Sequence, residues 1–134
     1  MDNTILLVDD NDSIAEAISL ILSQLGYQVL TADNCQKAGQ LLKCYRPSLV
    51  LLDVHFPGEQ GDVFCMRLKK NHLTKDLPIY LISSDINLPL ICRTCGADGF
   101  LVKPFQMEEL MEIVEKTCPL PKNPVLRSNY SLSM

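Results

Sequence analysis

The sequence predicts a single doubly wound α/β domain made of five β/α repeats. Three observations carry that reading. Short continuous Val/Ile/Leu runs recur at Ile5–Val8, Leu49–Leu52, Ile79–Ile82 and Phe100–Val102, as expected for strands of a parallel sheet covered on both faces. Stretches with apolar residues at helical spacing lie between them. Four of the runs end in polar residues of different kinds, namely Asp9-Asp10, Asp53, Ser83-Ser84 and Lys103-Pro104. Such sheets bind ligands outside the carboxyl ends of their strands. Carboxylates, a hydroxyl and an ammonium are therefore expected to converge at one edge, as a site for a cation and a phosphoryl group.

The elements follow in order. Strand 1 covers about residues 4–9, and helix 1 carries Ile14, Ile18, Ile21, Leu22 and Leu25 up to Gly26, a natural stop. Strand 2 is Tyr27–Ala32. Helix 2 opens near Asn34, a capping residue, and carries Ala38, Leu41, Leu42 and Tyr45 before Pro47. Strand 3 is Leu49–Asp53, followed by a loop containing Pro57, Gly58 and Gly61. Helix 3 uses Val63, Phe64 and Leu68 and stops near Asn71. Pro78 introduces strand 4, Ile79–Ile82. Helix 4, about Leu88–Cys95, is short and has Pro89 near its start, where proline is tolerated. Strand 5 is Gly99–Val102, and helix 5 runs from about Met107 to Thr117 with Leu110, Ile113 and Val114 inward. Uninterrupted alternation of this kind gives one α/β layer structure.

Composition narrows the function classes. The chain has 134 residues, enough for one domain with a proper core. Its net charge is −4, without a cluster of lysines and arginines, which argues against nucleic-acid binding. No apolar run approaches the roughly 20 residues of a membrane helix. No basic segment precedes the first apolar run, as a signal peptide would require, so a cytoplasmic setting is expected. Six cysteines stand at 35, 44, 65, 92, 95 and 118. A chain with a core and no export signal uses cysteine mainly as a small buried hydrophobe. Cys92-Arg93-Thr94-Cys95 has the CxxC spacing but lacks a second ligand pair. Residues 1–118 read as the folded domain. Residues 119–134 are Pro- and Ser-rich and carry a net +2 from Lys122 and Arg127; they read as a flexible tail or the start of a linker.

The candidate site is Asp9, Asp10 and Asp53 with Ser83 and Lys103. A single Asp after a strand is commonly a turn former or cap. Three at one edge repel one another, and a divalent cation relieves that repulsion. Oxygen-only ligands with open positions suit Mg²⁺. Lys103 brings an ammonium suited to a phosphoryl oxygen, and Ser83 a hydroxyl for another. Cation, lysine and hydroxyl around one carboxylate make an electrostatic cradle for phosphoryl transfer.

The ordered set is specific where its single members are not. Asp9-Asp10, Asp53 followed by Pro57 and Gly61, Ser83, Gly96-Ala97 and Lys103-Pro104-Phe105 together resemble the receiver domain of two-component response regulators, of the chemotaxis-regulator kind, over about residues 4–117. The resemblance implies a flavodoxin-like sheet in the order 2-1-3-4-5 with five helices; in departure from it, Pro89 and a short Ser83–Gly96 stretch lead us to expect a shortened fourth helix. It implies that Asp53 accepts a phosphoryl group from the phosphohistidine of a sensor histidine kinase or phosphotransfer protein. It further implies Mg²⁺ held by Asp10, Asp53 and the backbone carbonyl of His55, with Asp9 acting through water. Ser83 and Lys103 would hold the phosphoryl group, and the Lys103–Pro104 peptide would be cis. Ser83 and Phe100 would form the switch that repacks the face of helix 4, strand 5 and helix 5. That face would serve an output partner or homodimerisation, or report to an effector domain beyond the chain. His55, Ser84 and Asp85 form the expected rim. His55, Phe56 and Ser84 depart from the residue types usual at their positions, and the Ser83–Gly96 stretch is about two residues short.

Two other functions fit the same fold. One is a pseudo-receiver, an interaction module that works without phosphate; failure to bind Mg²⁺ marks it. The other is a small Mg²⁺-dependent phosphohydrolase with an aspartyl-phosphate intermediate. Such enzymes place a second Asp two residues after the nucleophile, where this chain has His55.

Overall fold

In the computed structural model, which describes residues 3–120, five strands and five helices alternate along the chain. They are β1 (Thr4–Val8), α1 (Asp12–Gln24), β2 (Gln28–Ala32), α2 (Cys35–Cys44), β3 (Leu49–Asp53), α3 (Gly61–Lys70), β4 (Ile79–Ser83), α4 (Leu88–Cys95), β5 (Gly99–Val102) and α5 (Met107–Thr117). All strand pairs are parallel and the sheet order is β2-β1-β3-β4-β5, as the resemblance implied. The tail reading, from Pro121 onward, lies outside the described residues.

The continuous apolar runs have the cause expected of them. Successive side chains along a strand point to opposite faces, and both faces here are covered. Leu6, Val8, Val50, Leu52, Ile79 and Leu81 pack with α2, α3 and α4. Ile5, Leu7, Leu49, Leu51 and Ile82 pack with α1 and α5. Every residue of β1 is buried. The Tyr27 hydroxyl donates to the Cys118 carbonyl at 2.8 Å, and Leu120 packs against the α1–α5 cluster.

Helix ends follow local chemistry. The Asn11 and Asn34 side chains accept from the backbone N–H of Ile14 and Lys37, capping α1 and α2. At the start of α5 the Glu109 side chain reaches back to accept from the Gln106 N–H at 2.9 Å. At eight residues α4 is the shortest helix. Pro89 lies in its first turn, and it stops at Gly96, whose φ of 81° is left-handed.

Two expected inward residues point outward. Val63 is 48% exposed, because α3 buries Gly61, Phe64, Cys65 and Leu68, and Val63 lies nearly opposite the centre of that stripe. Tyr45 is 47% exposed, because the chain leaves the helix there in an extended conformation. Five of the six cysteines are buried and all six are free; Cys44 is the exposed one. Burial pushes the Cys35 thiol up to about 11 and raises Cys65 as well, so both stay protonated at neutral pH.

One hydroxyl is misplaced. Ser19 Oγ, inside α1, is buried without a hydrogen-bond partner. Ser19→Ala removes that group and supplies a better helix former, so a gain of about 1 kcal/mol is expected. Equilibrium urea unfolding checks it, and a lower midpoint would show that the hydroxyl has a partner after all.

Candidate phosphoacceptor site

The carboxyl edge of the sheet gathers the predicted groups because β1 and β3 are adjacent and in register, Val8 opposite Leu52. Asp9 and Asp53 therefore leave the sheet side by side. One oxygen from each of Asp9, Asp10 and Asp53 lies within 4.8 Å of the other two. Asp9 is buried, Asp53 half-buried and Asp10 exposed. The Asp9 carboxylate accepts from the Asn11 N–H at 2.9 Å, and the Asp53 carboxylate from the Val54 N–H at 2.7 Å. These bonds fix two of the three carboxylates from their own loops.

Lys103 enters from β5. Its Nζ donates to Asp9 Oδ2 and to Asp53 Oδ2, both at 3.1 Å. Burial by itself disfavours the ammonium, but the Asp9 hydrogen bond and the charges of Asp53 and Asp9 outweigh it and hold Lys103 above its ordinary 10.5. A raised lysine stabilises the fold below its unfolded value and loses that effect only as pH climbs past the folded one. The pair is thus intact throughout the neutral range. The Lys103 N–H donates to the Ser83 carbonyl at 2.9 Å, which ties this end of β5 to β4. The Lys103–Pro104 peptide is cis, as implied.

Three carboxylates facing one ammonium leave a local charge of −2, which a divalent cation matches. The donors are all oxygen, and exposed Asp10 leaves the set open to solvent. The residues present therefore fit Mg²⁺.

Ser83 is buried, and its hydroxyl accepts from the Asp85 N–H at 3.1 Å. Phe100 sits on β5 with 39% of its surface exposed. Its neighbour Val102, on the same side of the strand, is 47% exposed. Ser84 is exposed.

At the rim, His55 and Asp85 bridge the loops after β3 and β4. His55 Nε2 lies 2.9 Å from Asp85 Oδ2 and Nδ1 lies 3.3 Å from Gln60 Oε1. Gln60 in turn donates to the Phe56 carbonyl at 2.7 Å. Gln60 carries no sequence signal, since a loop glutamine has no motif; only the folded loop shows that it orients the imidazole. The hydrogen bond that His55 donates to Asp85 is the main cause that holds it above its ordinary 6.5; burial acts in the opposite direction, and the Gln60 bond adds to the rise. A raised histidine contributes stability below its unfolded value, and the contribution fades as pH rises through the folded value. NMR titration of His55 is therefore expected to give a midpoint above 6.5 that falls toward the ordinary value in Asp85→Asn. An identical midpoint in the variant would show that the bridge does not form in solution.

Among the described residues, no helix is long and apolar enough to cross a membrane. Cys92 and Cys95 join no group of three or more potential metal ligands there.

Comparisons with known proteins bear on the family and the fold. A sequence profile of the response regulator receiver domain matches residues 5–115. The phosphate regulon transcriptional regulatory protein PhoB of Pseudomonas aeruginosa is 37% identical over 110 residues, covering 81% of this chain and 48% of its own length. The chain spans about half the length of the curated relatives of that kind. A crystal structure of a putative response regulator from Chloroflexus aurantiacus superimposes with a TM-score of 0.82 at 34% identity, covering 90% of this chain and all of that one. The chemotaxis response regulator CheY4 of Vibrio cholerae gives 0.79 at 28% identity, over 87% of this chain and 99% of its own.

Proposed function

This chain belongs to the response regulator receiver domains, and from that premise we propose that it is a phosphoacceptor switch with Asp53 as the acceptor. The observation that carries the reading is the ammonium of Lys103, 3.1 Å from both Asp9 and Asp53, whose carboxylates cluster with that of Asp10. An oxygen of Asp53 attacks phosphorus on the phosphohistidine of a kinase or phosphotransfer protein. The new O–P bond forms as the N–P bond breaks, and the bonding pair returns to the imidazole nitrogen. The chain is its own substrate in this step, a signalling module rather than an enzyme with a separate one.

Each residue has a physical task. Lys103, already charged and aimed at Asp53, neutralises a phosphoryl oxygen with little reorganisation. Ser83 gives its hydroxyl hydrogen to a second oxygen, moving away from the Asp85 N–H that it now accepts from. Asp10, Asp53 and the His55 carbonyl, with Asp9 acting through water, would hold Mg²⁺, which would supply the remaining charge neutralisation. The Ser83 movement opens space for the half-exposed Phe100 to turn inward, which alters the α4–β5–α5 face. Coupling of about 1–3 kcal/mol changes partner affinity by roughly 5–150-fold. The same face serves an output partner, a second copy, or an effector domain following residues 119–134.

Intact mass after incubation with acetyl phosphate and Mg²⁺ tests the reading, with one added phosphoryl group expected. Millimolar Mg²⁺ alone is also expected to raise the melting temperature, by relieving carboxylate repulsion. Absence of both effects would leave the phosphate-independent interaction module as the function. The hydrolase reading draws no support from the rim, where His55 is held by Asp85 and Gln60 rather than replaced by a second acid.

A further inference from the structure

The sequence shows no contiguous basic run, yet its cations are unevenly placed. Residues 35–75 hold seven lysines and arginines against three acids, a net +4, while the rest of the chain holds five against thirteen, a net −8. Three of those cations, Lys43, Arg46 and Arg67, line a groove of about 680 Å³ between α2 and α3. A smaller depression shares Leu42, Arg46, Leu73 and Thr74 with it, so the two make one continuous trough.

Its chemistry is amphipathic. Phe64 and Leu68 back it from the core, and its accessible apolar surface is half-buried Leu42 with Leu73 and Tyr45, 60% and 47% exposed, at its far end. Arg67 is already engaged: it stacks over Phe64 with its guanidinium carbon 5.2 Å from the ring centre and forms a two-pronged pair with Glu59. Lys43 and Arg46 are exposed and have no carboxylate partner among the described residues. Two cations without carboxylate partners among the described residues thus line the same trough as exposed leucine and tyrosine.

We propose that the α2–α3 trough docks an acidic amphipathic helix of a partner protein. Leucine-type anchors would fill the apolar floor, and glutamates or aspartates beside them would meet Lys43 and Arg46. A trough bounded by two ten-residue helices is about 15 Å long, which suits roughly three turns. Anchors at i, i+3, i+4 and i+7 are the usual reading of such a groove. The apolar floor favours this occupant over a nucleic-acid backbone, whose phosphates would leave Leu73 and Tyr45 uncovered. This surface is independent of Asp53 and does not rest on phosphoryl transfer.

The test uses the full chain and a fluorescent peptide of about 12 residues, with leucines at those helical spacings and glutamates elsewhere. Controls are the same peptide with lysine for glutamate, and a labelled single-stranded oligonucleotide. Saturable binding of the acidic peptide is expected, weakened at least roughly tenfold in the double variant Lys43→Glu, Arg46→Glu and by added salt. Both substitutions are on exposed positions, and an unchanged melting temperature certifies the fold. Leu73→Ser is expected to weaken the peptide without changing its salt dependence. No binding, equal binding of the lysine peptide, or full affinity in the charge-reversed variant would each overturn the proposal. So would tighter binding of the oligonucleotide, or concentration-dependent dimerisation that the charge reversal abolishes. All readouts are taken on protein that has met no phosphoryl donor, so failure here leaves the Asp53 reading untouched.

Discussion

Asp53→Asn is expected to stay at its unmodified mass when incubated with acetyl phosphate and Mg²⁺ under conditions that load the wild type. The amide keeps the size of the carboxylate but has no anionic oxygen to attack phosphorus. It also withdraws one of the two acceptors of Lys103 Nζ, leaving Asp9 to hold the ammonium at 3.1 Å. The fold should survive, since Asn still accepts from the Val54 N–H and one fewer negative charge lies beside Asp9 and Asp10. An unchanged or higher urea midpoint together with complete loss of uptake is the expected pair of results. Labelling equal to wild type would move the acceptor elsewhere; neither Asp9 nor Asp10 could take the role without giving up cation binding.

Gly61→Ala is expected to damage both stability and chemistry. A Cβ at position 61 would run into the Asp53 carbonyl oxygen and would lie 2.9 Å from the Asp53 carbonyl carbon and 3.0 Å from Val54 Cα. These are backbone atoms at the end of a central strand and cannot swing aside as a side-chain tip would. The Gly61 N–H also donates to the Val54 carbonyl at 2.7 Å, so the start of α3 and the end of β3 are held together. Overpacking a rigid interior costs typically about 1–3 kcal/mol, and a backbone-to-backbone clash belongs at or above the top of that range. For a domain of this size that is a fall of about 10 °C in melting temperature. Relief requires Asp53 to move, and a displacement of about 1 Å costs on the order of 100-fold in rate. Calorimetry and the time course of acetyl phosphate labelling read the two effects separately. Wild-type behaviour in both would mean that the loop carrying Pro57 and Gly58 yields instead.

Much of the fold was legible because each element obeys a local rule. Leu49–Asp53 and Met107–Thr117 have the same bounds in sequence and structure, since an apolar run and a helical stripe need no distant information. Asn34 announced a cap and accepts as one. Val63 and Tyr45 point outward for reasons that hydrophobicity does not carry: the phase of α3 against its neighbours decides which of its apolar residues is buried, and Tyr45 stands where the chain leaves α2. The residue types Asp9, Asp10, Asp53, Ser83 and Lys103 and their order along the chain were likewise readable, because parallel strands deliver their ends to one edge.

By itself, then, the amino-acid order determined the alternation of elements, the chemistry brought to the carboxyl edge and the family to which the chain belongs. Only the tertiary structure decided which charges meet. Lys103 is 50 residues from Asp53 and 94 from Asp9, and no local pattern states that it bridges both. Nor does any motif foretell that Gln60 and Asp85 clasp His55, or that Lys43 and Arg46 are left without acids above an apolar trough. The physical reason is the same in each case. Secondary structure is written in near-neighbour spacing, whereas electrostatic partnership depends on distances across the sheet and between helices, which exist only once the core has packed.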